Sequence, residues 1–578
     1  MTKFIRLQRQ SVLAYGLLAL PVAFFALLWQ RYAVNVPKWD DHALRHFLYL
    51  VDQETTFSGK LHQFLKQHNE HRIVYDRLVS WLDYQLTGKL NFRHLMVIGN
   101  LSLVGLLAVF AAVLRRAGRP LLYAVPVAFL LFNLSQWENM YWGMAALQNF
   151  SVVLWVVAAC YVLAYRNRIY WAVGLALLAT LTSGNGMLVW PIGFGMLLLR
   201  LAQPHANRRP LLIWSLSGLI GIGLYFIGFA KPADTVYIQA DLPTLLGGWF
   251  AFMGAAGEVL PATVPLRVCM ALGGFMTVAA LVLIGWTALV YRTTLGRSLS
   301  RLFQTSVLPT ATPNRPLPPS TLFFWSVALF LLVTGLVVAR ARVGFGLDLL
   351  MTSRYKLYSL CLLALLYTYT VVWVEGQTGR WLMRVSLVGG LVFAWLSYLS
   401  FIDDTIWWRH WLTTNQFNWR YSTSVPVSHT DAQTDQYIDP APAFYTRLLP
   451  VLYQSPAGSP VPVQVTQTPV GFDVVQRTLA ASPMASPDAG AYVVARSAAR
   501  TYLFPVRQQS VTPTGARFRP SRLFGPGFRS GLTHYELDAG TYQLLILVVG
   551  ADGTAHLYPT NQQITSTGPP ADTTKKNW

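Results

Sequence analysis

Apolar runs of sixteen residues or more, separated by short polar segments, fill most of the first 402 positions. The first, at 12–29, follows Lys3, Arg6 and Arg9 and has no small-x-small cleavage site after it. It reads as an uncleaved signal anchor with its N-terminus inside. Further runs long enough to span fall near 94–114, 120–135, 146–164, 169–184, 186–203, 211–230, 267–290, 321–339, 357–374 and 385–402. The pattern predicts an α-helical polytopic membrane protein of eleven transmembrane helices, N-terminus in and C-terminus out. One more stretch, 245–260, is short, rich in Gly and Ala, interrupted by Glu258 and closed by Pro261. It reads as re-entrant or interfacial, because a span there would reverse every later loop.

Beyond Asp403 no run could span a bilayer. Pro-rich punctuation (Pro440, Pro442, Pro450, Pro456, Pro460, Pro462) gives way to alternating stretches at 492–506 and 542–549, the second followed by an Asp552-Gly553 turn. These predict a β-sandwich-like extracytoplasmic domain over 403–562 that includes a hairpin. The last residues, 563–578, read as disordered.

Composition agrees with the first 402 residues being membrane-embedded. The chain is 53% hydrophobic and 12% charged, against about 45–50% and about 25% for a soluble domain, so a string of soluble domains is excluded. The formal net charge of +21 raises nucleic-acid binding, but its placement answers otherwise. The segments expected inside hold Arg115, Arg116, Arg119, Arg166, Arg168, Arg200, Arg208, Arg209, Arg292, Arg297, Arg301, Arg315, Arg380 and Arg384, with one acid, Glu375. The outer turns at 136–145 and around Asn185 carry no Lys or Arg. That is the positive-inside bias, and nucleic acid is not needed as a partner. Cys160, Cys269 and Cys361 lie in apolar runs, which fits neither a disulfide framework nor a zinc site.

Candidate chemistry concentrates on the outer side. The segment 33–92 is far longer than a connection needs. It opens Lys38-Trp39-Asp40-Asp41-His42, continues through amphipathic pieces at 42–51 and 60–67, and reaches His68-Asn69-Glu70-His71-Arg72. Paired carboxylates at the hydrocarbon boundary suit a general base, or ligands for a divalent cation such as Mg or Mn, because a partly dry site raises a carboxylate's basicity. The simpler reading of Asp40 is a cap on a helix starting near His42. His42 and His46, four apart, lack a third ligand at metal-site spacing, and packing at the interface is their simpler role. For Glu70-His71-Arg72 the plain alternative is a solvated local ion pair.

A second cluster breaks the charge pattern. Arg340, Arg342, Arg354 and Lys356 fall on the outer side, where insertion disfavours cations, so an anionic ligand or an acidic partner loop is expected to retain them. Arginine suits a phosphate through its bidentate fork; pairing with Asp348, Glu258 or Glu138 is the structural alternative. Glu138, Gln148, Asn185 and Glu258 fall on the same side.

This combination resembles the C-fold (GT-C superfamily) glycosyltransferases, integral-membrane enzymes that use polyprenyl-phosphate sugars as donors. The likeness covers residues 10–402 as architecture and rests on Asp40-Asp41 soon after the first span, the long first outer loop, the span count and the outer C-terminal domain. It implies that Asp40 or Asp41 is the catalytic base and that Arg342 and Arg354, with Arg72 as a third candidate, hold the lipid phosphate. Glu70, His71, Asn185 and Glu138 would then complete the substrate site. The implied partners are a polyprenyl-phosphate-linked sugar, a glycan or lipid acceptor and membrane lipids, with inverting transfer on the extracytoplasmic face of a bacterial inner (plasma) membrane. Two alternatives compete. An O-antigen polymerase or ligase would also use outer-side arginines, but with a lipid-diphosphate donor and less need of acids. A flippase or transporter of an anionic lipid-linked glycan predicts midplane ionisable residues or an internal repeat.

Overall fold

The structure, a computed structural model, describes the chain except residues 1, 167, 202–206, 231–239, 260–263, 292–316, 422–433, 439–442, 512–514, 516–521 and 570–578. The basic segment with Arg292, Arg297, Arg301 and Arg315, and the tail from 570 onward, lie outside the described residues.

Among the described residues eight helical segments are long and apolar enough to cross a membrane: Val12–Tyr32, Phe92–Arg116, Gly143–Tyr165, Arg209–Phe226, Pro265–Val290, Pro319–Phe345, Ser353–Trp373 and Gly376–Arg420. The other three expected spans are shorter. Leu121–Leu131 is built from a 3-10 turn and a short helix, and Ile169–Thr182 and Val189–Arg200 have 14 and 12 residues. At about 1.5 Å per residue, 14 residues reach about 21 Å, short of a hydrocarbon layer of about 30 Å. The last two are joined by the 3-10 turn Gly184–Leu188, which folds back so tightly that a Cβ on Gly186 would stand 2.0 Å from the Ala179 carbonyl oxygen. Hydropathy registers apolar composition but not this break.

The Gly- and Ala-rich stretch forms the helix Leu242–Met253, 12 residues long and too short to cross. Its small residues allow backbone contact with Pro265–Val290. A Cβ on Gly254 would meet the Cys269 carbonyl oxygen at 1.9 Å, and one on Gly273 would meet that of Phe250 at 1.9 Å.

The last helix, Gly376–Arg420, has 45 residues, about 67 Å. It continues past the end of the apolar run because its polar residues find partners. Asp403 and Asp404 accept from Arg507 at 3.2 and 2.9 Å, and Thr405 and Thr414 hydrogen-bond the carbonyls of Phe401 and His410, four residues back. The expected domain boundary at 402/403 thus falls inside one helix.

The C-terminal region forms two antiparallel four-stranded sheets. Strands are β1 (Gln464–Thr468), β2 (Gly471–Gln476), β3 (Gly490–Arg496), β4 (Thr501–Pro505), β5 (Arg507–Ser510), β6 (Phe524–Thr533), β7 (Gly540–Val549) and β8 (Ala555–Ser566). The orders are β1-β2-β6-β5 and β4-β3-β7-β8. Phe472, Val474, Phe528 and Leu532 of the first sheet share a core with Val493, Phe504, Leu544 and Ile546 of the second. The other face of the second sheet is apolar as well, with Tyr492, Val494, Leu503, Leu545 and Leu547 packed against Leu448 and Leu452 of the helix Ala443–Tyr453 and against Phe417. The continuous run Leu544 to Val549 reflects this burial on both faces. Asp552-Gly553 closes the β7–β8 hairpin, with Gly553 at φ 82° and Asp552 Oδ1 accepting from the Thr554 amide at 3.0 Å. Residues 563–566, expected to be disordered, complete β8.

Candidate functional site

The segment 33–92 folds as three helices, Asp41–Gln53, Phe57–Leu65 and Val74–Thr87, laid over one end of the bundle. The first buries Leu44, Phe47, Leu48 and Val51 and so turns its opening residues inward. Asp41 is fully buried. Its Oδ2 accepts from the Lys38 amide at 3.0 Å and its Oδ1 from the Met144 amide at 2.9 Å, tying the loop to the first turn of Gly143–Tyr165. Gly143 leaves the room, since a Cβ there would be 3.4 Å from Asp41 Oδ1. Asp40 occupies the N-cap position but makes no side-chain cap bond; its Oδ1 lies 3.8 Å from Nε2 of His68.

Three residues earlier in the chain, Lys38 is 3% exposed. Its Nζ lies 3.4 Å from the Trp39 ring centre, 3.1 Å from that of Trp411 and 4.4 Å from that of Trp408. Trp142 and Trp137 extend this wall, with centroids 5.5 Å from Trp39 and 5.0 Å from Trp408. Trp39 is strained to φ 40° and half exposed, so it forms the outer edge.

Arg354 stands near Trp142, its guanidinium carbon 6.0 Å from that ring. Backbone contacts fix it. Its amide donates to Glu138 Oε2 at 3.3 Å and its carbonyl accepts from Asn139 Nδ2 at 3.0 Å. Asn149, in the π-helical turn Ala146–Phe150, donates to Asn139 Oδ1 at 2.8 Å. The Glu138 amide donates to Ser353 Oγ, which in turn donates to the Ser135 carbonyl. The guanidinium itself is not neutralised this way, and its Nε has no hydrogen-bond partner.

The remaining expected residues form a neighbouring group. Arg342 pairs with Glu70 at 3.2 Å, both about a third exposed. His71 is tied back to back with His68 through two backbone bonds and abuts the turn at Gly184, where a Cβ would stand 2.9 Å from His71 Nδ1. Asn185, in that turn, donates to Tyr358 Oη at 2.8 Å. Arg72 is committed elsewhere: its guanidinium binds the carbonyls of Tyr225, Leu65 and Ile227. That makes it a clamp joining 33–92 to the end of Arg209–Phe226, with a donor on each of its three nitrogens engaged. Lys356 pairs with Glu258 at 2.6 Å.

Burial dominates the electrostatics. Desolvation raises the Asp41 carboxyl to about 7, with Asp40 adding to the rise and the two amides opposing it. Lys38 falls to about 6, chiefly by desolvation, against the pull of Glu138 and Asp41; Arg354 lowers it further and Glu536 raises it. Glu536, from the β6–β7 connection, is itself raised by burial, so the β-domain contributes a carboxyl to this pole. His71 is lowered by burial. Asp76 is wholly buried near Asp41, neither oxygen has a partner, and its carboxyl is raised well above the usual range.

The two acids do not fit a divalent-cation site. Each Asp41 oxygen already accepts an amide hydrogen and Asp40 faces His68 at 3.8 Å, whereas Mg and Mn require several directed oxygens. Among the described residues no three His, Cys, Asp or Glu side chains gather as ligands.

Residues that sequence reasoning passed over are Lys38, Asp76, Glu536 and the tryptophans of the last helix. Trp407, Trp408 and Trp411 carried a signal, an i, i+1, i+4 aromatic spacing that places a patch on one helical face. Comparison with protein-family models, with curated proteins and with solved structures finds no match.

Proposed function

We propose that this pole transfers a sugar from a polyprenyl-phosphate donor to a glycan or lipid acceptor, on the extracytoplasmic face of a bacterial inner membrane. The observation that carries the reading is a fully buried carboxyl, Asp41, raised to about 7 and bonded to the Met144 amide, two residues from Trp142, whose ring lies 6.0 Å from the Arg354 guanidinium. A carboxylate in that range is matched to taking a proton from a hydroxyl at neutral pH. Arg354, and Arg342 once released from Glu70, suit a phosphate leaving group whose charge grows as the glycosidic bond breaks. Asp41 or Asp40 deprotonates the acceptor hydroxyl, which attacks the anomeric carbon opposite the phosphate and inverts it. The indole rings offer flat apolar faces to a pyranose. Orientation is supported by the opposite pole, where Arg119 binds the carbonyls of Val372 and Val374 and Arg200 that of Ala164, in keeping with the positive-inside bias.

The test uses the full chain in nanodiscs with undecaprenyl-phosphate-[14C]hexoses and a membrane-glycolipid extract as acceptor. Label moves to the acceptor with the wild type and not with the Asp40→Asn/Asp41→Asn double variant. Equal transfer by that variant overturns the base assignment. Movement of lipid-linked label across a vesicle bilayer without transfer assigns the protein to translocation instead.

A further inference from the structure

The outer face of the β4-β3-β7-β8 sheet changes character along its length. Its apolar part lies under the helix Ala443–Tyr453. Where that helix ends, the same face turns polar. Arg496, Gln543 and Gln563 stand in register on adjacent strands β3, β7 and β8, and Thr541 is two residues from Gln543 on the same face. With Tyr453, Gln454, Ser455 and Ser497 they line an open cavity of about 430 Å³, within the size range of small-molecule sites.

The chemistry of the lining selects a ligand class. Two amides and several hydroxyls offer paired donors and acceptors, matching the adjacent hydroxyls of a sugar. The Tyr453 ring supplies an apolar edge. Among the described residues no carboxylate lines the cavity, and apart from Arg496 its lining is uncharged; Arg496 Nη1 donates to the carbonyls of Leu452 and Gln454 at 3.2 and 2.9 Å, which holds its guanidinium against the far wall.

We infer that this groove binds a neutral oligosaccharide, through Gln543 and Gln563 on the sheet and Tyr453 on the wall. If the transferase reading holds, the bound chain is the acceptor glycan, held on the domain that sends Glu536 to the site. Binding itself does not depend on that reading.

The experiment titrates the full chain in nanodiscs with maltohexaose, chitohexaose and xylohexaose, and with hexagalacturonate as the anionic counterpart, reading affinity by saturation-transfer NMR and calorimetry. At least one neutral hexasaccharide binds, and Gln543→Ala/Gln563→Ala weakens it about tenfold or more, the effect of losing hydrogen bonds from two amides. Gln562→Ala, next to the groove residue in β8, leaves affinity unchanged. Failure of all three neutral sugars, a preference for hexagalacturonate, or binding that survives the double variant overturns the inference. The Asp40→Asn/Asp41→Asn double variant separates the two proposals, since it removes transfer and leaves groove binding intact.

Discussion

The main-chain amide of Lys38 donates to the carboxylate of Asp41 at 3.0 Å, so one short turn fixes an amine and an acid whose ordinary charges are both opposed by burial. The Asp41 carboxyl rises to about 7 while the Lys38 amine falls to about 6. Protonation at this pole is therefore set near neutrality.

Transfer rate should follow the ionised form of Asp41. Activity falls by about tenfold per pH unit below the apparent midpoint near 7. A pH–rate profile measures this, and an acid limb in the ordinary carboxylate range would remove Asp41 as the base.

Lys38 should be nucleophilic at pH 7.5. Competitive acylation followed by mass spectrometry gives a labelling midpoint near 6 for this side chain, whereas an unperturbed lysine titrates at about 10.4. Trp39→Ala opens the cage to water and moves the midpoint upward.

Asp76 opposes folding whenever it is ionised. Its folded pKa is raised, so its unfavourable contribution is absent at low pH, where it is protonated in both states, and grows as pH rises above the ordinary carboxylate range. Asp76→Asn should stabilise the protein at pH 8 by on the order of 1 kcal/mol or more and by much less at pH 4, close to the ordinary carboxylate value. Thermal unfolding in detergent at both values checks this; equal effects at the two pH values would contradict it.

Arg342→Ala should leave stability within about 1 kcal/mol, because its pair with Glu70 is partly exposed, and should still abolish transfer. Arg354→Ala should do the same to transfer with membrane insertion intact. Normal glycosylation by both variants removes the phosphate assignment.

Asp488 receives two hydrogen bonds from Arg409, at 2.7 and 3.1 Å, in a largely buried pair joining the sheets to the last helix. Asp488→Asn should cost about 3 kcal/mol and speed proteolysis within the β-domain, measured by limited digestion in nanodiscs.

The apolar segments were legible because lipid-facing composition leaves a signal in every window, and the hairpin at Asp552-Gly553 was legible because its turn needs a glycine at positive φ. Asp40 and Asp41 stood out by their place at a membrane boundary. Lys38 did not, since its surroundings come from Trp408 and Trp411, some 370 positions away. The end of the last helix was misplaced because Asp403-Asp404 read as an exit to water, while the cation that satisfies them, Arg507, comes from a strand about a hundred residues later. The commitment of Arg72 to three carbonyls was likewise invisible, as backbone acceptors carry no residue-type signature.

The uninterrupted 45-residue helix has a mechanical consequence. Its lower part lies in the apolar bundle, its upper part seats the sheets through Asn418, which bonds both the amide and the carbonyl of Leu503, and between them it bears Trp408 and Trp411. The amine of Lys38 therefore rests on the same rod that carries the sheets. A displacement of the sheets reaches the tryptophan cage along the same unbroken helix.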